Sequence, residues 1–377
     1  MRKTLPKKEF NTMRIIDNIL NLLIESIRLR WKFFIFCLLA VYWFAALQLS
    51  GIVGENFMSP ILSPSQTSQQ NVVSDGIEKV KKLIEQGKKD FSLKRGLSLI
   101  ETAYAQEDNI TARSYIVFDL ESGDVILEKN SRQRMPIASL TKLMSATIAL
   151  DLAENDLIKV SEKAAGTDPT KIGVVEGQKM ATNELLHAAL MTSANDAVEV
   201  LEEGIDNIYG EGTFVWAMNE KAKYLGLSNS HFDNPQGFDG KTNYATAEDL
   251  AILTHYALSN YQQIAEITQK DYYFLPEDSR HKQFDLYNWN GLLGVYPGVQ
   301  GVKIGNTREA EYTTIVVSQR SGKSLGVVLL GAESILQRDL EASILLDAGF
   351  AKKYGLSPAR ISETDLKAKY STWKYWR

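Results

Sequence analysis

Residues 136–150 read PIASLTKLMSATIAL, an apolar stretch carrying a serine and a lysine three positions apart, Ser139 and Lys142. On a helix that spacing sets hydroxyl and amine on the same face, one turn apart. A serine becomes a nucleophile when a base lies within hydrogen-bond reach, and lysine serves if burial or a second cation lowers its pKa. A serine cap beside a solvated lysine would read the same way. The spacing also recurs at Ser279/Lys282 and Ser371/Lys374, so it decides nothing by itself. Order and company separate the first match from the others. Residues 191–197, MTSANDA, offer a second hydroxyl, Ser193, and a side-chain amide, Asn195, in the turn before a helix. Residues 301–307, GVKIGNT, set a cation, Lys303, on a strand. Gly305 follows, permitting close backbone approach, and then Asn306 and Thr307.

Around these segments the chain alternates between two periodicities. Strand-like runs at 114–120 and 124–129 flank Glu121-Ser122-Gly123, a hairpin signal. Helical patterns follow at 140–152, 182–191, 196–208, 213–225 and 247–259. Strands return at 301–304, 312–318 and 325–330, before a last helix at 336–354. Strands at both ends with helices between them predict an α+β fold, one antiparallel sheet built from both ends of the region. No repeat of 20–50 residues is present, which excludes solenoids and propellers.

Of the 377 residues, 44% are hydrophobic and 23% charged, which excludes disordered, collagen-like and disulfide-stapled classes. A single cysteine, Cys37, and four histidines supply no metal cluster, so chemistry without metal or cofactor is expected. Residues 33–53 contain no charge, close to the ~20 residues that span a bilayer as a helix. Arg28, Arg30 and Lys32 stand immediately before that stretch. The positive-inside tendency then keeps 1–32 as a cytoplasmic basic leader and puts the rest outside the cell membrane, on a single-pass transmembrane helix. Residues 59–74, SPILSPSQTSQQNVVS, read as a linker, and the amphipathic pattern at 77–84 as a solvated stalk helix. The expected organisation is therefore leader 1–32, membrane helix 33–53, linker and stalk 54–111, catalytic domain 112–355 and tail 356–377. The acidic balance beyond residue 53, 34 basic against 43 acidic side chains, argues against nucleic-acid binding.

The ordered set Ser-x-x-Lys, Ser-x-Asn, Lys-x-Gly resembles that of penicillin-binding proteins and class A β-lactamases. The wider text resembles more narrowly the serine D-alanyl-D-alanine carboxypeptidases, the low-molecular-mass penicillin-binding proteins. The matching stretches are ARSYIVFDLESGDVILEKN, PIASLTKLMSATIAL, ELLHAALMTSANDAVEVL, FDNPQGFDG, YATAEDLAIL, NWNGLLGVYPGVQGVKIGNT and GAES…QRDLEAS, over about residues 112–355. The resemblance implies a β-lactamase/DD-peptidase-like sheet flanked by helices, a helical subdomain, and a site in the cleft between. It implies Ser139 as acylated nucleophile, Lys142 as its proton acceptor, Ser193 as relay to the leaving amine, and Asn195 as holder of the substrate's amide backbone. Lys303 would keep the Ser193 side positive and lower the Lys142 pKa by like-charge repulsion. The Ser139 and Asn306 backbone N–H groups would form the oxyanion hole. Gly305, Asn306, Thr307 and Arg338 would bind substrate, Arg338 at its terminal carboxylate. The implied partners are peptidoglycan stem peptides, with β-lactams as inhibitors.

Three positions depart from the family pattern. Ile304 replaces a threonine, Gln236 stands where histidine is usual, and Glu311 where glycine is usual. Ile304 motivates a second reading, a catalytically weak peptidoglycan-binding relative. A DD-endopeptidase would use the same acylation chemistry. A β-lactamase ranks last, since residues 226–233, GLSNSHFD, offer no glutamate for the deacylating water. Tail residues 373–377 are expected to touch lipid weakly.

Overall fold

Strands β1 (Ser114–Asp119) and β2 (Val125–Lys129) form the expected hairpin, and β1 pairs on its other side with a strand about two hundred residues later. The computed structural model describes residues 76–96 and 110–374, so the leader, the 33–53 stretch and the 59–74 linker lie outside the described residues. Two short ribbons interrupt the helical middle of the chain: β3 (Leu157–Lys159) with β4 (Lys179–Ala181), and β5 (Tyr272–Leu275) with β6 (Phe284–Tyr287). Three long strands then follow, β7 (Val299–Thr307), β8 (Glu311–Arg320) and β9 (Lys323–Ala332). The main sheet is five-stranded and antiparallel, in the order β2-β1-β9-β8-β7.

Side chains on successive strand positions point to opposite faces, and both faces of this sheet are covered. Ile116, Phe118, Ile315, Val317, Val328 and Leu330 join a core shared with the helical region. Their odd-even neighbours Tyr115, Val117, Val316, Val327 and Leu329 join a second core with Leu345, Leu346 and Phe350 of the helix Ile335–Tyr354. Burial on both faces is why these strands read as continuous apolar runs instead of alternating ones.

The helical region lies in sequence between β2 and β7. The helix Thr141–Ala153 is buried at every position but Asp151, as a helix apolar all round must be. Around it stand the helices Thr182–Met191, Asn195–Tyr209, Thr213–Leu225 and Ala247–Asn260, each within a residue of its predicted bounds. Shorter helices Glu162–Gly166, Gln262–Thr268 and Glu363–Tyr370 were not legible in the periodicity.

Two boundary expectations are corrected. Residues 76–84 are helical as predicted, yet Val80 and Ile84 sit in the main core, so this segment is part of the body instead of a solvated stalk. All described residues belong to one compact unit that begins at Gly76 instead of residue 112. At the other end Leu366 is buried in the second core and Trp373 packs beside Trp289 and Ile304. The indole of Trp373 is thus spent on protein contacts instead of lipid. Among the described residues, no helix is long and apolar enough to cross a membrane.

One buried ion pair ties the helices together. Lys221 Nζ lies 2.8 Å from Asp151 Oδ2 and donates to Tyr256 Oη at 2.9 Å, while Tyr261 Oη donates to Asp151 Oδ1 at 2.7 Å. Tyr256 in turn donates to the Gln86 carbonyl and so fastens the leading segment. Removing one partner of a buried pair strands the other charge, at a cost of about 3–5 kcal/mol. Lys221→Met is therefore expected to lower the unfolding free energy by that amount in urea denaturation; a loss below about 1 kcal/mol would remove the pair from the account.

Candidate active site

The turn that presents Ser139 is unusual in its backbone. Ala138 adopts φ +50°, and a 3₁₀ turn, Ala138–Leu140, leads into the helix Thr141–Ala153. Lys142 in the first turn of that helix is fully buried, and its amine meets three acceptors from three segments. Nζ lies 2.9 Å from Ser139 Oγ, 2.7 Å from Asn195 Oδ1 and 2.5 Å from the Gln236 carbonyl oxygen. Burial pushes the Lys142 amine down to about 7, against the opposing pull of the Asp196 carboxylate. Near neutrality such an amine is present in both protonation states, which a general base requires.

Ser193 and Asn195 stand in the turn between two helices, with Ser193 at φ +60°. Asn195 opens its helix; its Nδ2 donates to the Asp168 carbonyl at 3.2 Å and its backbone N–H to the Thr170 carbonyl at 2.7 Å. Beside it, Asp196 accepts from the backbone N–H groups of Ile172, Gly173 and Val174. This carboxylate pins the 168–174 segment along the site, a function that sequence reasoning did not assign to it. Its position at the start of a helix was the available signal.

On the opposite side, β7 runs against the nucleophile turn. A Cβ added at Gly305 would lie 2.8 Å from the Ser139 nitrogen, so a larger residue would push the strand away. Gly237 lets the loop over Lys142 come equally close: its φ is +86°, and an added Cβ would lie 2.0 Å from the Ala138 carbonyl oxygen. Asn234 fixes that loop by accepting from the N–H groups of Gly237 and Phe238.

Ser139, Ser193, Asn195, Ile304, Asn306 and Thr307 line one cavity of about 150 Å³. Lys142, Lys303, Gly305 and Arg338 are not part of that lining; Lys142 reaches it through its bonds to Ser139 and Asn195. The Thr307 hydroxyl donates to Asp239 Oδ1 at 2.5 Å. Lys303 is buried, and its amine donates to the Ile304 carbonyl at 2.8 Å. Burial, then the positive charges of Lys142 and Arg338, push its pKa well below the ordinary lysine range. Burial is thus the main depressing influence on both amines, and the repulsion between Lys142 and Lys303 adds to it.

One other expectation changes, that for Arg338. Arg338 is fully buried, with Nε 2.7 Å from Asp339 Oδ1 and Nη2 2.9 Å from Oδ2, so its fork faces its own neighbour instead of the cavity. Ile304 packs in an apolar trio with Trp289 and Trp373, which accounts for an alkyl side chain at this position. Glu311 has φ +56°, the region where glycine costs least, and its carboxylate pairs with Arg113 at 3.2 Å. Ser279, Lys282, Ser371 and Lys374, the other Ser-x-x-Lys matches, are all exposed.

Sequence reasoning missed what Gln236 does. Its carbonyl holds Lys142, while its Nε2 donates to Glu199 Oε2 at 2.6 Å and lies 3.4 Å from Glu202 Oε2. Lys163 pairs with Glu199, and burial followed by the Glu199 charge pushes Glu202 up to about 7. Glutamates three apart on one helix were visible in the sequence; their meeting with residue 236 was not.

Residues 101–334 match the family described as D-alanyl-D-alanine carboxypeptidase. The chain is 32% identical over 269 residues to D-alanyl-D-alanine carboxypeptidase DacF of Bacillus subtilis, covering 68% of each chain. It is 31% identical to DacB2 of Mycobacterium tuberculosis, over 64% of this chain and 82% of the relative. Among solved structures, a Streptomyces DD-transpeptidase superposes with TM-score 0.60 at 26% identity, over 64% of this chain and 98% of that one. The carboxypeptidase DacD of Francisella tularensis gives 0.58 at 27%, over 64% and 70%. With fold, sequence and motif order in agreement, the chain belongs to the D-alanyl-D-alanine carboxypeptidase family of peptidases.

Proposed function

We propose that the protein is a serine DD-carboxypeptidase, held at the outer face of the cell membrane by residues 33–53, that removes the terminal D-alanine from peptidoglycan stem peptides. The observation that carries this reading is the 2.9 Å contact between the Lys142 amine and the Ser139 hydroxyl, made where burial lets that amine lose its proton.

Neutral Lys142 takes the Ser139 proton as Oγ attacks the carbonyl of the penultimate D-alanine. The N–H groups of Ser139 and Asn306 receive the developing oxyanion. Asn195 and the edge of β7 hold the peptide amides. As the C–N bond breaks, the proton passes through Ser193 to the departing amine, leaving an ester on Ser139. Water then attacks that ester with Lys142 again as base. A β-lactam enters the same first step, but its amine stays tethered, so it acts as an inhibitor. No cofactor takes part. With Ile304 apolar and Arg338 engaged by Asp339, substrate carboxylate recognition at this end of the cavity is weaker than in a site with a free hydroxyl and guanidinium.

Incubation with a penicillin should add one penicilloyl mass, mapped to Ser139, and Ser139→Ala should not label. An adduct on Ser279 or Ser371 would overturn the assignment. Because the base must be neutral, the acylation rate should rise with pH through about 7, falling about tenfold per unit on the acid side. A rate independent of pH across that range would contradict Lys142 as base. The anchor predicts that protease applied to intact spheroplasts releases a catalytic fragment cut between residues 54 and 75. A mature N-terminus beyond Ser50 in untreated cells would mean a cleaved leader instead.

A further inference from the structure

The Ser139 cavity has an apolar wall, and a third side chain stands behind it. Ile304 of β7 and Trp289 both line the cavity, and Trp373 packs against the pair. These three buried side chains form a cluster of their own, separate from the two cores that hold the sheet and helices together. Trp373 is not part of the cavity lining, so it can act on the site only through Ile304 and Trp289.

The segment that delivers Trp373 is fastened at several points. Ser362 caps the helix Glu363–Tyr370 by accepting from the Asp365 N–H, and Leu366 of that helix is buried in the second core. Lys369 pairs with Asp271 at 2.5 Å. Tyr370 Oη donates to Asp339 Oδ2 at 2.8 Å, and its ring centre lies 4.8 Å from that of Trp373. Gly291 makes room for this arrangement, since a Cβ there would collide with Asp339 Oδ2 and the Tyr370 ring. Two residues earlier, the Trp289 backbone N–H donates to the Met191 carbonyl at 3.4 Å, at the end of the helix that leads to Ser193. The Trp373 indole thus backs two cavity residues, one on β7 and one tied to the approach to Ser193.

We infer that Trp373 is a positioning residue that sets which terminal residue the protein accepts. It holds Ile304 and Trp289 against the cavity and keeps that end narrow and apolar. A cavity of about 150 Å³ bounded in this way admits a small apolar side chain, such as the methyl group of D-alanine, and shuts out a bulky one. When a large side chain behind such a wall is removed, the neighbours relax part of the way into the space it leaves, and the wall is no longer fixed. The inference rests on the reading proposed above, in which Ser139 is the nucleophile and the leaving D-alanine lies at the Ile304 end of the cavity.

The test compares two substrates, acyl-D-Ala-D-Ala and acyl-D-Ala-D-Leu, with the full-length wild type, Trp373→Phe and Trp373→Ala. The wild type should prefer the D-alanine terminus. Trp373→Ala should lower the ratio of the two kcat/KM values by roughly tenfold or more, the discrimination an apolar pocket draws from a methylene or so of bulk. Trp373→Phe, which keeps a ring behind the wall, should fall between. A merely structural role would lower both kcat/KM values together and leave their ratio unchanged. That result, or a wild type with no preference between the two termini, would overturn the inference. If urea denaturation shows that Trp373→Ala does not fold, the ratio for Trp373→Phe decides in the same way. A wild type that penicillin does not acylate at Ser139, or that releases neither terminal residue, would instead overturn the reading on which the inference rests.

Discussion

An amine held out of water must have acceptors, and the way Lys142 obtains them organises the rest of the site. Its three partners come from the nucleophile turn, the start of the helix Asn195–Tyr209 and the loop at Gln236. No carboxylate bonds the amine directly; Asp196 acts on it only through space. A direct ion pair would stabilise the charged form and raise the pKa, whereas neutral acceptors in a dry setting satisfy the N–H groups and leave the proton free to depart. The cost of that burial is met by neighbours fixed in place. Asp196 pins the 168–174 segment, Asn234 pins the 236–238 loop, and the Gln236 side chain is held by Glu199 and Glu202.

Close backbone approach is the second half of the same constraint. Gly237 and Gly305 face the nucleophile turn from two sides, and at either position a Cβ would collide with backbone atoms of Ala138 or Ser139. The turn is thereby clamped between a loop and a strand edge, and the Ser139 N–H is left beside β7, where an oxyanion would be received. The sheet supplies the rigid side of this clamp. Its strands are buried on both faces by two separate cores, so β7 cannot give way without disturbing β8 and β9 behind it.

Much of this was legible before any coordinates. The long strands declared themselves because burial on both faces makes them continuous runs of branched apolar residues, and the large helices because their apolar positions repeat. Ser139, Lys142, Ser193 and Asn195 could be picked out because their order and spacing are local features of the chain. The ribbons β3–β4 and β5–β6 were not legible, being three or four residues long and half exposed. Residues 76–84 misled because most of their positions are lysine, glutamate or other exposed residues; two buried side chains, Val80 and Ile84, suffice to dock them. Gln236 misled for a different reason. Its type says little, while its position brings together Lys142 and two glutamates from distant segments. The engagement of Arg338 by the adjacent Asp339 was likewise a matter of side-chain direction, which spacing does not give.

The central claim is that Lys142 can give up its proton near neutral pH because the fold withholds water and a direct counter-charge from it. The most direct measurement is an NMR titration of the full-length protein with isotope-labelled lysine side chains, the Lys142 resonance being assigned by its loss in Lys142→Met. The account predicts an inflection at about 7 for this resonance. An inflection above about 9, in the range of an ordinary solvated lysine, would contradict it.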